Sequence, residues 1–335
     1  MVKVLFIFSG IDRREMDENW PDTYFFGYNA VASDSRIKAE YFQVVREKYK
    51  NNFFLFISLF KKIAHADIVF ITSSAHFELA LCKRFEIFRR KKWFMLNIDL
   101  TTKLSCSDKL LSVVKLADKI ICLSTVQLEY LKKRGVRESA LKFIPFGIDK
   151  NFYHSIPSSG EIVLAVGRDS GRDYKTLLEA MKKLEKNKAV IICRPGNIKS
   201  QDQIPHNVSI INEKQPLETQ DFFAKAFVSV APSLRDGIAT GSDCSGQTVI
   251  LDSMGYGCPV IASRKNWFKD YFEEDKHLIV VPPEDPMALA QAIDKVSDDL
   301  DLRKRLSQEG RKLIETKYNS AAFGKKLAEL MLGEK

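Results

Sequence analysis

The chain has 335 residues and six cysteines, Cys82, Cys106, Cys122, Cys193, Cys244 and Cys258, and no two of these form a Cys-x-x-Cys pair. That spacing argues against a zinc ribbon or a disulfide framework. It points to reduced, mostly buried thiols in a cytosolic protein. The strongest apolar run, Phe53 to Phe60, is far short of the roughly 20 residues that a membrane span needs. The opening Met1–Gly10 lacks a charged leader and a small-residue cleavage site, so it reads as a first strand and not as a signal peptide. With 16 glycines and 11 prolines, low-complexity sequence is excluded. Five histidines show no metal-ligand spacing, and no metal is expected. Neither a G-x-S-x-G elbow nor a P-loop is present, which leaves hydrolase and kinase readings unsupported.

What is present is an ordinary globular composition, 45% hydrophobic and 28% charged, at a length that suggests two domains. The charge is uneven. Residues 1–155 hold 26 of the 52 Lys and Arg but only 17 of the 43 Asp and Glu, so the whole net charge of +9 lies there. The same half holds 17 of the 23 phenylalanines. Basic and aromatic residues mix most densely at Tyr49–Lys62 and Phe77–Lys92. A solvated basic face over a phenylalanine core is the plain reading. Docking on an anionic membrane surface is the second. Nucleic acid is the third, and no nucleic-acid-binding signature accompanies the charge.

Short apolar runs alternate with helical patterns along the whole chain. In the first half, strands are expected at Val2–Phe8, Ile68–Thr72, Trp93–Ile98, Lys119–Leu123 and Lys142–Ile144. Helices are expected near 27–33, 53–65, 77–90, 107–117 and 126–135. Gly147–Gly160 reads as a linker. The second half predicts strands at Ile162–Val166, Ala189–Cys193, Val208–Ile211, Val228–Ala231, Val260–Ala262 and Leu278–Val281. Its helices are expected at 173–185, 216–226, 247–256, 286–298, 300–317 and 320–332. The expectation is an α/β chain of two doubly wound, Rossmann-like halves, 1–150 and 151–319, facing a cleft.

Two segments carry chemistry. In Ser245-Gly-Gln-Thr-Val-Ile-Leu-Asp252, a glycine opens a helix. The free amides of Gln247, Thr248 and Val249, with the helix dipole, would suit a diphosphate. Asp252, i+4 from Thr248, could take ribose hydroxyls. In Val166-Gly-Arg168-Asp-Ser-Gly-Arg172, a strand ends in Gly167 and two arginines follow. Guanidinium donors suit phosphate oxygens, and charge on a leaving diphosphate lowers the barrier to breaking a glycosyl bond.

The order Phe143-Ile-Pro-Phe-Gly-Ile-Asp149, Val-Gly-Arg168, Ala231-Pro-Ser233, Gly246-Gln-Thr-Val249 with Asp252-Ser-Met254, Gly257-Cys-Pro-Val-Ile261 and Val281-Pro-Pro-Glu-Asp-Pro286 resembles the GT-B glycosyltransferases of family 4, the retaining group 1 enzymes. The resemblance spans about 143–318. It implies transfer of a sugar from a UDP- or GDP-type donor, with no metal and no bound cofactor. Arg168 and Arg172 would stand where the family puts an arginine and a lysine on the diphosphate. Gly246, Gln247, Thr248 and Val249 would serve the phosphates, and Arg194 would lie in the loop beside the base. Asp252 stands at the second glutamate of the family's E-x7-E pair. Cys244 stands at the first, where Asp243 or Asp236 could substitute. The family's glycine-rich loop after the first strand is reduced to Ser9-Gly10.

The first half would be the acceptor domain, with 320–335 packing back on it as in the family. His76 and Asp99 are its candidate catalytic residues. Its charge suggests a glycan or lipid-linked acceptor at an anionic membrane surface, in envelope or surface-polysaccharide synthesis. The chain would then be cytoplasmic and peripheral on the inner face of the cell membrane. A soluble or protein acceptor, and a non-catalytic nucleotide-sugar-binding partner, are the alternatives. No nucleic-acid partner is expected.

Overall fold

The computed structural model describes residues 1–9, 20–44, 53–104, 107–199, 201–212, 214–238 and 240–334. The chain divides into two compact units, 1–146 with 320–335, and 147–319. Each has one parallel sheet of six strands among its described residues.

The first unit holds β1 (Val2–Ser9), β2 (Ile37–Val44), β3 (Ile68–Ile71), β4 (Lys92–Asn97), β5 (Lys119–Cys122) and β6 (Leu141–Phe143). Their order is β2-β1-β3-β4-β5-β6. β3 is buried along its whole length. Strands covered on both faces read as unbroken apolar runs, which is why β1, β3, β4 and β5 were visible in the sequence. β2 was not. It is an edge strand of alternating burial, and its Lys38 and Glu40 dilute the apolar signal. Much of the phenylalanine excess is core. Phe6, Phe8, Phe70, Phe77 and Phe94 are fully buried, and Phe6 meets Phe70 edge-on at 5.0 Å.

The helix expected over 77–90 is a 3-10 stretch, Ser74–Arg84, followed by one α turn, Glu86–Arg89. Ser74, Phe77 and Ala80 are all buried. A three-residue spacing of buried side chains suits three residues per turn better than 3.6. The last helix, Ser320–Leu332, packs on Tyr28–Ala32 of the same unit. The approach is close enough that a Cβ on Gly324 would lie 2.4 Å from that of Ala30.

The second unit holds β7 (Ile162–Val166), β8 (Lys188–Cys193), β9 (Val208–Asn212), β10 (Ala226–Ala231), β11 (Val260–Ser263) and β12 (Ile279–Val281). Their order, β12-β11-β10-β7-β8-β9, reverses between β7 and β10. Ligands of open α/β sheets bind beyond the strand ends at such a reversal. Acidic caps start three of the helices. Asp173 opens Tyr174–Met181, Asp285 opens Pro286–Asp298 and Asp299 opens Leu300–Thr316. The helix expected at 216–226 is split into a 3-10 turn, Leu217–Thr219, and one α turn, Gln220–Phe223. Arg311 ties the unit together at its seam, donating to the carbonyls of Tyr153, Gly255 and Lys150.

No helix among the described residues is long and apolar enough to cross a membrane. The five described cysteines, all but Cys106, are buried.

A candidate anion-binding site

The loop after β7 is stitched to the end of β10 by its backbone. Arg172 forms an antiparallel bridge with Ser233. Asp173 donates to Pro232 at 3.1 Å, and Leu234 donates to Gly171 at 3.0 Å. This fixes the Arg172 side chain at the sheet's reversal point, where it is buried. Its guanidinium lies against Gly167, where a Cβ would come within 2.5 Å of Nε. The same group lies against Gly246, where a Cβ would be 3.3 Å from Nη1. Only glycine leaves that room at Gly167. Arg172 Nε and Nη1 are buried with no hydrogen-bond partner among the described residues. A buried, unsatisfied charged donor is costly, and an anion placed there would satisfy it.

Gly246 opens the helix Gln247–Gly255 in the left-handed region, φ 94°, and brings no side-chain cap. The helix start is thus left for a ligand where acidic residues close the starts at Tyr174, Pro286 and Leu300. One detail corrects the sequence expectation. The Gln247 amide is not free, because it donates to the Cys244 carbonyl at 2.9 Å. The amides of Thr248 and Val249 remain the candidates. The Thr248 side chain is exposed and that of Val249 is buried.

Asp169 holds the surrounding loops together. Its Oδ1 accepts from Gly171 N at 2.7 Å and Ser245 Oγ at 3.1 Å, and its Oδ2 accepts from Ser242 N at 2.8 Å. Its carbonyl accepts from Asn197 Nδ2 at 3.1 Å and Arg172 N at 3.2 Å. Asn197 in turn accepts from the Arg194 amide at 3.1 Å. Gly241, with φ 79°, packs on the carboxylate so closely that a Cβ would lie 2.2 Å from Oδ1. The Asp169 carboxylate therefore joins the loop after β7 to the segment leading into Gly246, and its backbone carbonyl joins the loop after β8. Sequence reasoning passed over Asp169 because Asn197, Ser242 and Ser245 are about 30 to 75 residues away and carry no local signature.

The remaining candidates are placed as follows. Arg168 and Arg194 are exposed in the loops after β7 and β8. Asp252 lies six residues beyond Gly246, about 9 Å of helix rise. Its Oδ1 is buried without a hydrogen-bond partner among the described residues. Burial holds its pKa well above the usual carboxylate range, and a hydrogen bond with Tyr153 opposes that effect. Asp243 is half-buried beside buried Cys244. Asp236 is engaged by buried Lys265, at 2.7 Å, and by the Asn266 amide, at 2.8 Å. Gly10 lies outside the described residues. His76 and Asp99 belong to the first unit, where Asp99 Oδ1 accepts from Ser74 Oγ at 2.6 Å. Among the described residues no group of three or more His, Cys, Asp or Glu could hold a metal ion.

Residues 149–313 match the family model of the glycosyl transferases group 1. An 80-residue stretch, 24% of this chain, is 34% identical to an alpha-D-kanosaminyltransferase of Streptomyces kanamyceticus and spans only 21% of that protein's length. Among solved structures, a sucrose-phosphate synthase of Thermosynechococcus elongatus superposes with a TM-score of 0.76 at 18% identity, over 99% of each chain. HepE of Anabaena, solved with UDP and glucose, gives a TM-score of 0.76 at 15% identity, over 99% of this chain and 100% of that one. At such identities the structural likeness speaks for the fold. The chain has the two-domain GT-B fold, and its residues 149–313 match the family model of the glycosyl transferases group 1.

Proposed function

We propose that the protein is a glycosyltransferase that moves a sugar from a nucleotide-diphosphate sugar to an acceptor hydroxyl. The observation that carries this reading is Arg172, with two buried, unpartnered guanidinium nitrogens beside an uncapped helix start. A diphosphate satisfies both. The negative charge that develops as the glycosyl bond breaks falls on the same donors, so they favour the transition state over the bound substrate. The amides of Thr248 and Val249 and the exposed Arg168 add positive potential. Arg194 flanks the base and Asp252 takes the ribose. These donors neutralise the leaving group, and the reaction is read as metal-independent. Attack from the face that the leaving group vacates retains the anomeric configuration, as in family 4. UDP is the first nucleotide to try, because HepE was solved with it; GDP is the second.

The acceptor is assigned to the first unit, with Asp99 and His76 as the residues that would hold or deprotonate its hydroxyl. The basic first half favours a glycan or lipid-linked acceptor at an anionic membrane surface, in envelope or surface-polysaccharide synthesis. It also favours a cytoplasmic protein held peripherally on the inner face. The test is release of nucleoside diphosphate from a panel of UDP- and GDP-sugars, with and without vesicles that carry lipid-linked acceptor. Release from one donor that is lost in Arg172→Ala supports the reading. Binding without release supports the alternative, a nucleotide-sugar-binding partner of another transferase. That alternative draws on buried Cys244 at the position of the family's first glutamate.

A further inference from the structure

The turn Glu86–Arg89 sits at the start of β4 in the first unit, and it presents two large apolar side chains to solvent. Phe85 is 64% exposed and Ile87 is 66% exposed. They are held out by ordered backbone. Phe85 N donates to Cys82 O at 2.9 Å and Phe88 N donates to Phe85 O at 3.0 Å. Phe88 between them and the strand is buried, its ring 5.8 Å from that of Phe60, and it anchors the turn to the core. Among the described phenylalanine side chains of this half, Phe85 is the exposed one.

The surroundings are cationic. Residues 83–92 contain Lys83, Arg84, Arg89, Arg90, Lys91 and Lys92 against one acid, Glu86, which pairs loosely with Arg89 at 3.4 Å. Lys83 is engaged by Asp118 at 2.7 Å and Lys91 by the Ala64 carbonyl at 2.7 Å. Arg84, Arg90 and Lys92 have no ion-pair partner among the described residues. The positive charge continues along the leading edge of the sheet. The Lys119 ammonium at the start of β5 is depressed by burial and then by Lys142, Arg137 and Lys92. Asp118, which pairs with Lys83 and with Arg137 at 3.7 Å, offsets part of this charge and leaves Arg84, Arg90 and Lys92 to an outside anion.

We propose that this edge of the first unit docks on an anionic lipid surface, with Phe85 and Ile87 entering the headgroup boundary and Arg84, Arg90 and Lys92 facing acidic headgroups. Exposed aliphatic and aromatic side chains flanked in the chain by arginine and lysine suit an interface that is apolar below and anionic above. A nucleic acid would use the charge and the Phe85 ring but would gain nothing from Ile87. Asp99 follows the opposite end of β4, about 20 Å away along a six-residue strand, so docking leaves the strand's carboxyl end uncovered. The inference rests on the membrane part of the function proposed above and not on its donor chemistry.

The test is flotation of the full chain with neutral phosphatidylcholine vesicles and with vesicles containing phosphatidylglycerol. The expected result is binding to the anionic vesicles only. Phe85→Ser with Ile87→Ser should lower partitioning at least tenfold. Arg90→Gln should lower it about fivefold, the effect of one basic residue near the surface. All three positions are exposed, so melting temperature and the UDP-induced melting shift should be unchanged, which separates failure of docking from failure of the donor site. Equal binding to neutral and anionic vesicles would overturn the proposal. So would anionic binding that survives the Phe85 and Ile87 changes, or binding to single-stranded RNA with none to vesicles.

Discussion

Replacing Arg172 by methionine should make the unliganded protein more stable and nearly blind to its nucleotide. Methionine fills similar space against Gly167 and Gly246 without a charge. A buried donor left unsatisfied costs about 1–3 kcal/mol, so the variant should gain on that order. In a unit of 173 residues, 1 kcal/mol moves the melting midpoint by about 2–4 °C, so the apo variant should melt at least about 2 °C higher. The ligand effect runs the other way. Two charge-assisted hydrogen bonds at roughly 1.5 kcal/mol each make about 3 kcal/mol, more than a hundredfold in Kd. UDP at 100 times the wild-type Kd stabilises wild type by about 2.7 kcal/mol, and at that concentration it would stabilise the variant by at most about 0.4 kcal/mol. Thermal melts with and without UDP, backed by calorimetric titration, measure both effects. A variant that melts lower and keeps its UDP shift would refute the reasoning, because the guanidinium would then be serving the fold.

Other expectations follow from the same site and fold. Asp252 binds its proton more tightly folded than unfolded, because burial raises its pKa. Above about pH 4 the unfolded chain has lost that proton while the folded chain keeps it, so stability falls by about 1.4 kcal/mol per pH unit until the folded pKa is reached. Asp252→Asn should flatten that stretch of the stability curve and raise stability at pH 7; urea unfolding across pH 4–8 would show it, and parallel curves would contradict it. Asp169→Asn turns an amide donor toward one of the N–H groups that the carboxylate now accepts. It should cost about 1–3 kcal/mol in melting and weaken UDP binding tenfold or more, since the loops around Arg172 come apart. Gly324→Val should destabilise the first unit by at least about 1–3 kcal/mol, because its first added carbon already meets Ala30, and denaturant midpoints would register the loss.

The buried strands and the capped helices were readable in the sequence because their signals are local. An apolar run such as Ile162–Val166 or an Asp-Pro start such as Asp285–Pro286 states its structure within a few residues. The edge strand Ile37–Val44 and the 3-10 stretch Ser74–Arg84 were hidden, one by its polar face and the other by a burial period that mimics a helix. The glycine and arginine motifs marked the site's two halves. Their meeting depends on β10 lying between β7 and β11, which no residue spacing reveals. Gly167 read as the strand end before the two arginines, and the structure shows it leaving room for a side chain five positions on. Asp169 was silent for a related reason, since its partners Ser242 and Ser245 reach it only through the fold.

The central claim is that Arg172 waits for a diphosphate, and a crystal structure with UDP tests it most directly. The account predicts phosphate oxygens within hydrogen-bond distance of Arg172 Nε and Nη1 and of the amides at Thr248 and Val249. A diphosphate bound elsewhere, with those two nitrogens still unpartnered, would contradict it.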